Sequence, residues 1–137
     1  MTTTFIGGGN MATALIGGMR ARGAAAADFR VVEPLADARE RLAARHPGLA
    51  LFAQCTRDAV AGAALIVLAV KPQQMREAAR TLAPQLARVP APVVLSIAAG
   101  IRIADLSRWL GGHDRIVRAM PNTPALVGKG ISGVFAP

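Results

Sequence analysis

The spacing of hydrophobic residues along this chain switches repeatedly between a strand-like and a helix-like pattern. The stretch TTFIG, ending at Gly7, predicts a short first strand. From Asn10 onward Met11, Leu15 and Met19, with Ala12 and Ile16 beside them, recur at helical spacing. Gly23 stands where that helix should end. Phe29 to Glu33 reads as a second strand, and Leu35, Ala38 and Leu42, separated by Arg and Glu, as a second amphipathic helix closed by His46-Pro47-Gly48. Leu49 to Ala53 predicts a third strand, and Arg57 to Ala61 a short helix that Thr56 can cap.

Ala64 to Val70 is continuously apolar and rich in β-branched residues, as expected of a central strand covered on both faces. Met75, Ala78, Ala79, Leu82 and Leu86 then mark a helix that Pro84 is expected to bend or shorten near its end. Val93 to Ala98 reads as a fifth strand, Ile103, Leu106 and Leu110 as a helix, and Arg115 to Met120 as a sixth strand. Ile131 to Phe135 adds one more. Strand and helix alternate with short connections, which predicts an α/β domain over residues 1–137: a doubly wound, mainly parallel sheet with helices on both faces. Right-handed crossovers make 3-2-1-4-5-6 the natural strand order, and ligands of such sheets bind beyond the carboxyl ends of the strands.

Composition narrows the function classes. A chain of 137 residues has room for one core, and 53% hydrophobic with 4% aromatic residues suits an aliphatic sheet under helices. The formal charge of +8 invites a nucleic-acid partner, but the basic residues are dispersed from Arg20 to Arg118 and no Tyr interleaves with them. No nucleic-acid partner is therefore expected. Cys55 is the only cysteine, so no intrachain disulfide can form, and it reads as a small buried hydrophobe. Thr2, Thr3 and Thr4 lead straight into the first strand without a signal segment, and the run Ala61 to Val70 is too short to cross a bilayer. A cytoplasmic protein without membrane association is the expectation, and no metal-ligand pattern is present.

Gly7-x-Gly9-x-x-Ala12 matches the dinucleotide fingerprint G-x-G-x-x-G/A in the required context of strand, turn and helix. Gly7 makes the turn, Gly9 lets backbone approach a pyrophosphate, and Ala12 lets helix and strand pack closely. Gly8 between them reads as a variable position. The N–H groups near Asn10 and Met11 then face the anion. Glu33 follows Ala12 by 21 residues, close to the offset of about 20 for an acid on the adenosine ribose, and taken alone favours NAD over NADP. Arg39 and Arg41, shortly after, offer a phosphate contact instead.

Lys71-Pro72 leaves the central strand where a dinucleotide must pass. The small residues Ser96 to Gly100 either leave room for a flat ring or simply pack a strand end. In AMPNTPALVGKG two prolines stiffen the loop that presents Asn122 and Thr123, either as substrate or nicotinamide contacts or as a rigid surface turn. His46 and His113 sit in loops, the second a remote acid–base candidate.

The segments FIGGGNMATALIGG, LAVKP, SIAAGI and RAMPNTPALVGKG resemble, in order and spacing, the N-terminal domain of pyrroline-5-carboxylate reductases. The resemblance spans essentially the whole chain. It implies hydride transfer from NADPH or NADH to the imine of 1-pyrroline-5-carboxylate, giving L-proline, the last step of proline biosynthesis. It also implies cofactor contacts at Ile6, Gly7, Gly8, Gly9, Asn10 and Met11, at Glu33 and Thr56, at Ala69, Val70, Lys71 and Pro72, and at Ile97, Ala98 and Ala99. No catalytic acid or base is implied within this half. The family usually prefers NADPH and often has a small residue where Glu33 stands and asparagine where Thr56 stands; the acid argues for NADH. Family members carry a second, helical domain that forms the oligomer and much of the substrate pocket. That domain is absent from this sequence, which is expected to be a fragment. The alternatives are a stand-alone dinucleotide-binding module and a related hydroxy-acid or flavin-type dehydrogenase.

Overall fold

The computed structural model describes residues 1–120 and 133–135. Its elements follow in the order β1 (Thr2–Ile6), α1 (Asn10–Ala21), β2 (Phe29–Val32), α2 (Ala36–Arg45), β3 (Ala50–Phe52), α3 (Arg57–Val60), β4 (Ala63–Leu68), α4 (Pro72–Leu86), β5 (Val93–Ser96), α5 (Ile103–Trp109), β6 (Ile116–Met120) and β7 (Gly133–Phe135). The sheet order is β3-β2-β1-β4-β5-β6-β7, the expected 3-2-1-4-5-6 with one strand added. The first six strands are parallel, and β7 runs antiparallel to β6 at the edge.

Alternating side chains of the central strands fill two cores. On one face Phe5, Val31 and Val67 pack with Ala12 and Ile16 of α1 and Leu42 of α2. On the other, Ile6, Ile66, Leu68 and Val94 pack with Ala59 of α3, Met75, Ala79 and Leu82 of α4, and Leu106 of α5. Both faces of the sheet are therefore dry, which is why β4 shows no polar alternation. At the end of α1 the N–H of Gly23 bonds to the Arg20 carbonyl and that of Ala24 to the Met19 carbonyl. With Gly23 at φ +103° this is the glycine C-cap that the sequence predicts.

Pro84 does not end α4, which continues to Leu86. Its missing N–H leaves the Arg80 carbonyl without its usual intrahelical donor, and the helix ends two residues later.

His46 is buried at the C-cap of α2 against α1, where its Nδ1 lies 3.4 Å from Nη1 of Arg20. Burial, with the charges of Arg20 and Arg45 beside it, holds the imidazole below its ordinary value of 6.5, while the Thr13 backbone opposes the shift. Below that value the unfolded chain takes up a proton that the folded chain resists, so the stability His46 allows is complete above pH 6.5 and declines as pH falls towards the lowered folded value. The unfolding midpoint should fall between pH 7 and 5, with a shallower slope in His46→Gln. An unchanged slope in that variant would assign the acid sensitivity elsewhere.

Candidate functional site at the carboxyl edge of the sheet

The sheet register aligns the carboxyl ends of the strands. Val32, Ile6, Leu68 and Ser96 stand side by side across β2, β1, β4 and β5. The ladder then continues one residue further: Gly7 N–H donates to the Val32 carbonyl at 2.8 Å, Ala69 N–H to that of Ile6 at 2.8 Å, Glu33 N–H to that of Phe52 at 2.8 Å, and Ile97 N–H to that of Leu68 at 3.3 Å. Glu33, Gly7, Ala69 and Ile97 thus form one row, although they come from four separate segments. Each lies in a segment singled out from the sequence.

Above this row, where the chain order reverses between β1 and β4, a crevice of about 790 Å³ opens. This is the size class of a cofactor cleft. Its floor is Ile6 to Gly9. One wall is Val32 to Leu35, and the other is Ala69 to Lys71 with Gln74, Ala78 and Thr81 of α4.

The three glycines of the floor have different reasons to be glycine. Gly7 has φ +102°, and a Cβ there would lie 2.7 Å from the Ala69 carbonyl oxygen, so turn and strand contact both require it. Gly8 is not the variable position expected from the sequence: a Cβ would lie 2.7 Å from Cδ1 of Leu42 and 3.2 Å from both Glu33 and Val31. It is buried by residues from β2 and α2, which no local pattern reveals. Gly9, the N-cap of α1, has φ −78°, which suits any residue, and a Cβ there would meet nothing within 4 Å. Gly9 is among the residues that line the crevice.

α1 starts without a side-chain cap and without an acid in its first turn. The amide groups at Asn10, Met11 and Ala12 therefore have no side-chain acceptor, and the positive end of the helix is available to an anion. Ala12, 1% exposed, lets α1 sit close on the sheet. The side chains of Asn10 and Met11 do not line the crevice.

Glu33 is half-buried, and both its carboxylate oxygens accept hydrogen bonds from backbone: Oε1 from Gly8 N–H at 3.2 Å and Oε2 from Leu35 N–H at 3.0 Å. Lys71 is the extended N-cap of α4, with Pro72 in the first helical position, where no N–H is needed. Ala98 is buried in the core, whereas Ile97 and Ala99 stand at the end of β5 outside the crevice lining. Thr56 also lies outside it; its hydroxyl accepts from Ala59 N–H at 3.4 Å and caps α3 as predicted. Asn122 and Thr123 lie outside the described residues.

Cys55 is buried beside the crevice, and burial pushes its thiol up to about 11, so it is neutral and packs as expected. His113 is no acid–base group for this site. Its Nε2 lies 2.9 Å from the carbonyl of Pro92, just before β5, at the opposite end of the sheet. Among the described residues no cluster of His, Cys, Asp or Glu is placed to hold a metal ion, and no helix is long and apolar enough to cross a membrane.

Two parts of the site escaped the sequence reading. Leu35, assigned there to the buried face of the second helix, is 66% exposed on the crevice wall. It follows Pro34 and precedes the first helical residue, so it occupies the N-cap and not the amphipathic stripe. Gln74, Glu77 and Thr81 line the crevice and recur at i, i+3 and i+7 beside the buried stripe of Met75, Ala79 and Leu82. That polar row was the available signal.

The sequence and the fold are shared with known proteins. Over 136 residues the chain is 47% identical to the pyrroline-5-carboxylate reductase of Pseudomonas aeruginosa, covering 96% of this chain and 47% of that protein. A solved pyrroline-5-carboxylate reductase from Coxiella burnetii superposes with a TM-score of 0.89 at 36% identity over 99% of this chain and 49% of its own. The pyrroline carboxylate reductase of Plasmodium falciparum, solved with NADP bound, gives 0.80 at 25% identity over 100% of this chain and 48% of its own. The chain thus spans about half the length of the relatives it matches. Residues 2–100 fit the family model described as NADP oxidoreductase, coenzyme F420-dependent, and it is to this family that the chain belongs.

Proposed function

We propose that this chain is the cofactor-binding half of a pyrroline-5-carboxylate reductase, working on the imine of 1-pyrroline-5-carboxylate with NADH or NADPH. The observation that carries the reading is the open space at Gly9, at the N-terminus of an uncapped helix, on the floor of a crevice of cofactor size. The names of the relatives supply the substrate.

In this reading the backbone from Ile6 to Ala12 cradles the pyrophosphate. Glu33 accepts from the adenosine ribose and favours NADH, Thr56 lies towards the same half, and Ala69 to Pro72 border the path of the dinucleotide. Ile97, Ala98 and Ala99 leave room for the nicotinamide end. The bound dinucleotide supplies the hydride. The chain supplies orientation and field, and no residue of this half is required to move a proton. Asn122 and Thr123 are proposed on the substrate side, and a second, helical domain as the source of the remaining substrate contacts and of the oligomer. The cytoplasm is the proposed location.

Two measurements test this. The 137-residue chain should bind NADH or NADPH in a calorimetric titration, and the full-length protein should oxidise the nucleotide only when 1-pyrroline-5-carboxylate is added, with proline as product. Nucleotide oxidation that ignores the imine would refute the substrate assignment.

A further inference from the structure

The basic side chains of this chain are nearly all arginine. Of the 16, two are lysines, Lys71 and Lys129, and the second lies outside the described residues. Lys71 lines the crevice as the exposed, extended N-cap of α4. The ion pairs among the described residues join Asp105 to Arg102 and Arg108 and leave Lys71 out.

The crevice has a charge balance unlike that of the chain. The chain carries a formal +8, whereas the charged residues lining the crevice are Glu33, Glu77 and Lys71. Lys71 is thus the one positive side chain set against two carboxylates. Lysine in this place differs from arginine in its chemistry: a guanidinium stays protonated, whereas an amine that sheds its proton is a nucleophile, and acylation deletes its charge. On the floor of the same crevice the N–H groups at the start of α1 have no side-chain acceptor and draw anions. An acyl donor that carries a phosphate is therefore concentrated in the crevice that Lys71 lines, and a neutral donor is not.

We propose that Lys71 is a modification site, acetylated by acyl phosphates that the start of α1 holds in the crevice, and that this modification closes the crevice to dinucleotides. The ligand excluded rests on the dinucleotide reading above. The neutral amine attacks the acetyl carbonyl carbon and a C–N bond forms. The bond from that carbon to the phosphate oxygen breaks, inorganic phosphate leaves with the electron pair, and the amine proton passes to water. No oxidant or reductant is needed. The amide left on Lys71 is uncharged, so the charged side chains that a pyrophosphate then meets are Glu33 and Glu77.

The experiment treats the intact protein with acetyl phosphate, follows each lysine by peptide mass mapping, and titrates the product calorimetrically with NADH and with NADPH. Lys71 should be acetylated at least about fivefold faster than Lys129, and inorganic pyrophosphate should remove that advantage. N-acetylimidazole, a neutral donor, should show none, and Gly9→Val, with a branched side chain at the start of α1, should lose it. The acetylated protein and Lys71→Gln should both bind nucleotide at least about tenfold more weakly than the wild type, while Lys71→Arg, which keeps the charge, should lose less than Lys71→Gln. Equal rates at the two lysines, a rate at Lys71 that pyrophosphate leaves unchanged, or full nucleotide affinity after acetylation overturns the proposal. A folded, unmodified protein that binds neither nucleotide overturns the dinucleotide reading itself, a distinct result.

Discussion

Gly9→Val should abolish binding of both NADH and NADPH while leaving the unfolding midpoint within a degree or so of the wild type. The expected loss of affinity is at least about 100-fold, on the order of 3 kcal/mol. The two halves of this result have separate causes. The backbone of Gly9 is in an ordinary extended conformation and a Cβ there touches nothing, so the fold does not depend on the glycine. In the proposed reading the pyrophosphate approaches the start of α1 beside Gly9, and a branched side chain there stands in its way. Calorimetric titration alongside thermal denaturation reads both halves. Retained affinity in a folded variant would remove the crevice from consideration as the cofactor site.

Gly7→Ala, two residues away, should have the opposite outcome: a large loss of stability. Its positive φ lies where side chains are strongly disfavoured, at about 1–3 kcal/mol. The added methyl would also stand 2.7 Å from the carbonyl oxygen of Ala69, backbone of the neighbouring segment that cannot rotate away. Overpacking of that kind adds about another 1–3 kcal/mol. Chemical denaturation should show a fall of roughly 2–6 kcal/mol from these two sources together. A loss below about 1 kcal/mol would mean that the turn adopts another geometry.

The order of the sheet could be read from sequence because each change of hydrophobic period coincides with an element and right-handed crossovers leave few topologies. The strand ends could not. The predicted strands carry on through Glu33, Val70 and Ala98, whereas β2, β4 and β5 stop at Val32, Leu68 and Ser96. The chain runs on past the last strand residue, and in that overshoot Glu33, Ala69 and Val70 line the crevice. Local pattern also had no access to Gly8, whose constraint comes from Leu42, Val31 and Glu33 across the fold. Leu35 was misassigned because its spacing fits the helix period although its place is one residue before the helix. The glycine fingerprint and the offset to Glu33 were legible because both are set by spacing along the chain. The occupation of both Glu33 oxygens was not, because it depends on how the turn folds back over Gly8.

The row of Glu33, Gly7, Ala69 and Ile97 draws on segments that meet only after β2, β1, β4 and β5 have all found their neighbours. Parallel pairing of this sort closes long loops before any contact repays the lost chain entropy, so it is slow and comes late in folding. Binding competence should therefore appear in the last kinetic phase of refolding and not with the first helix signal. A nucleotide that recognises the completed row acts on the native state alone, and at 100 times its dissociation constant it holds that state by about 2.7 kcal/mol.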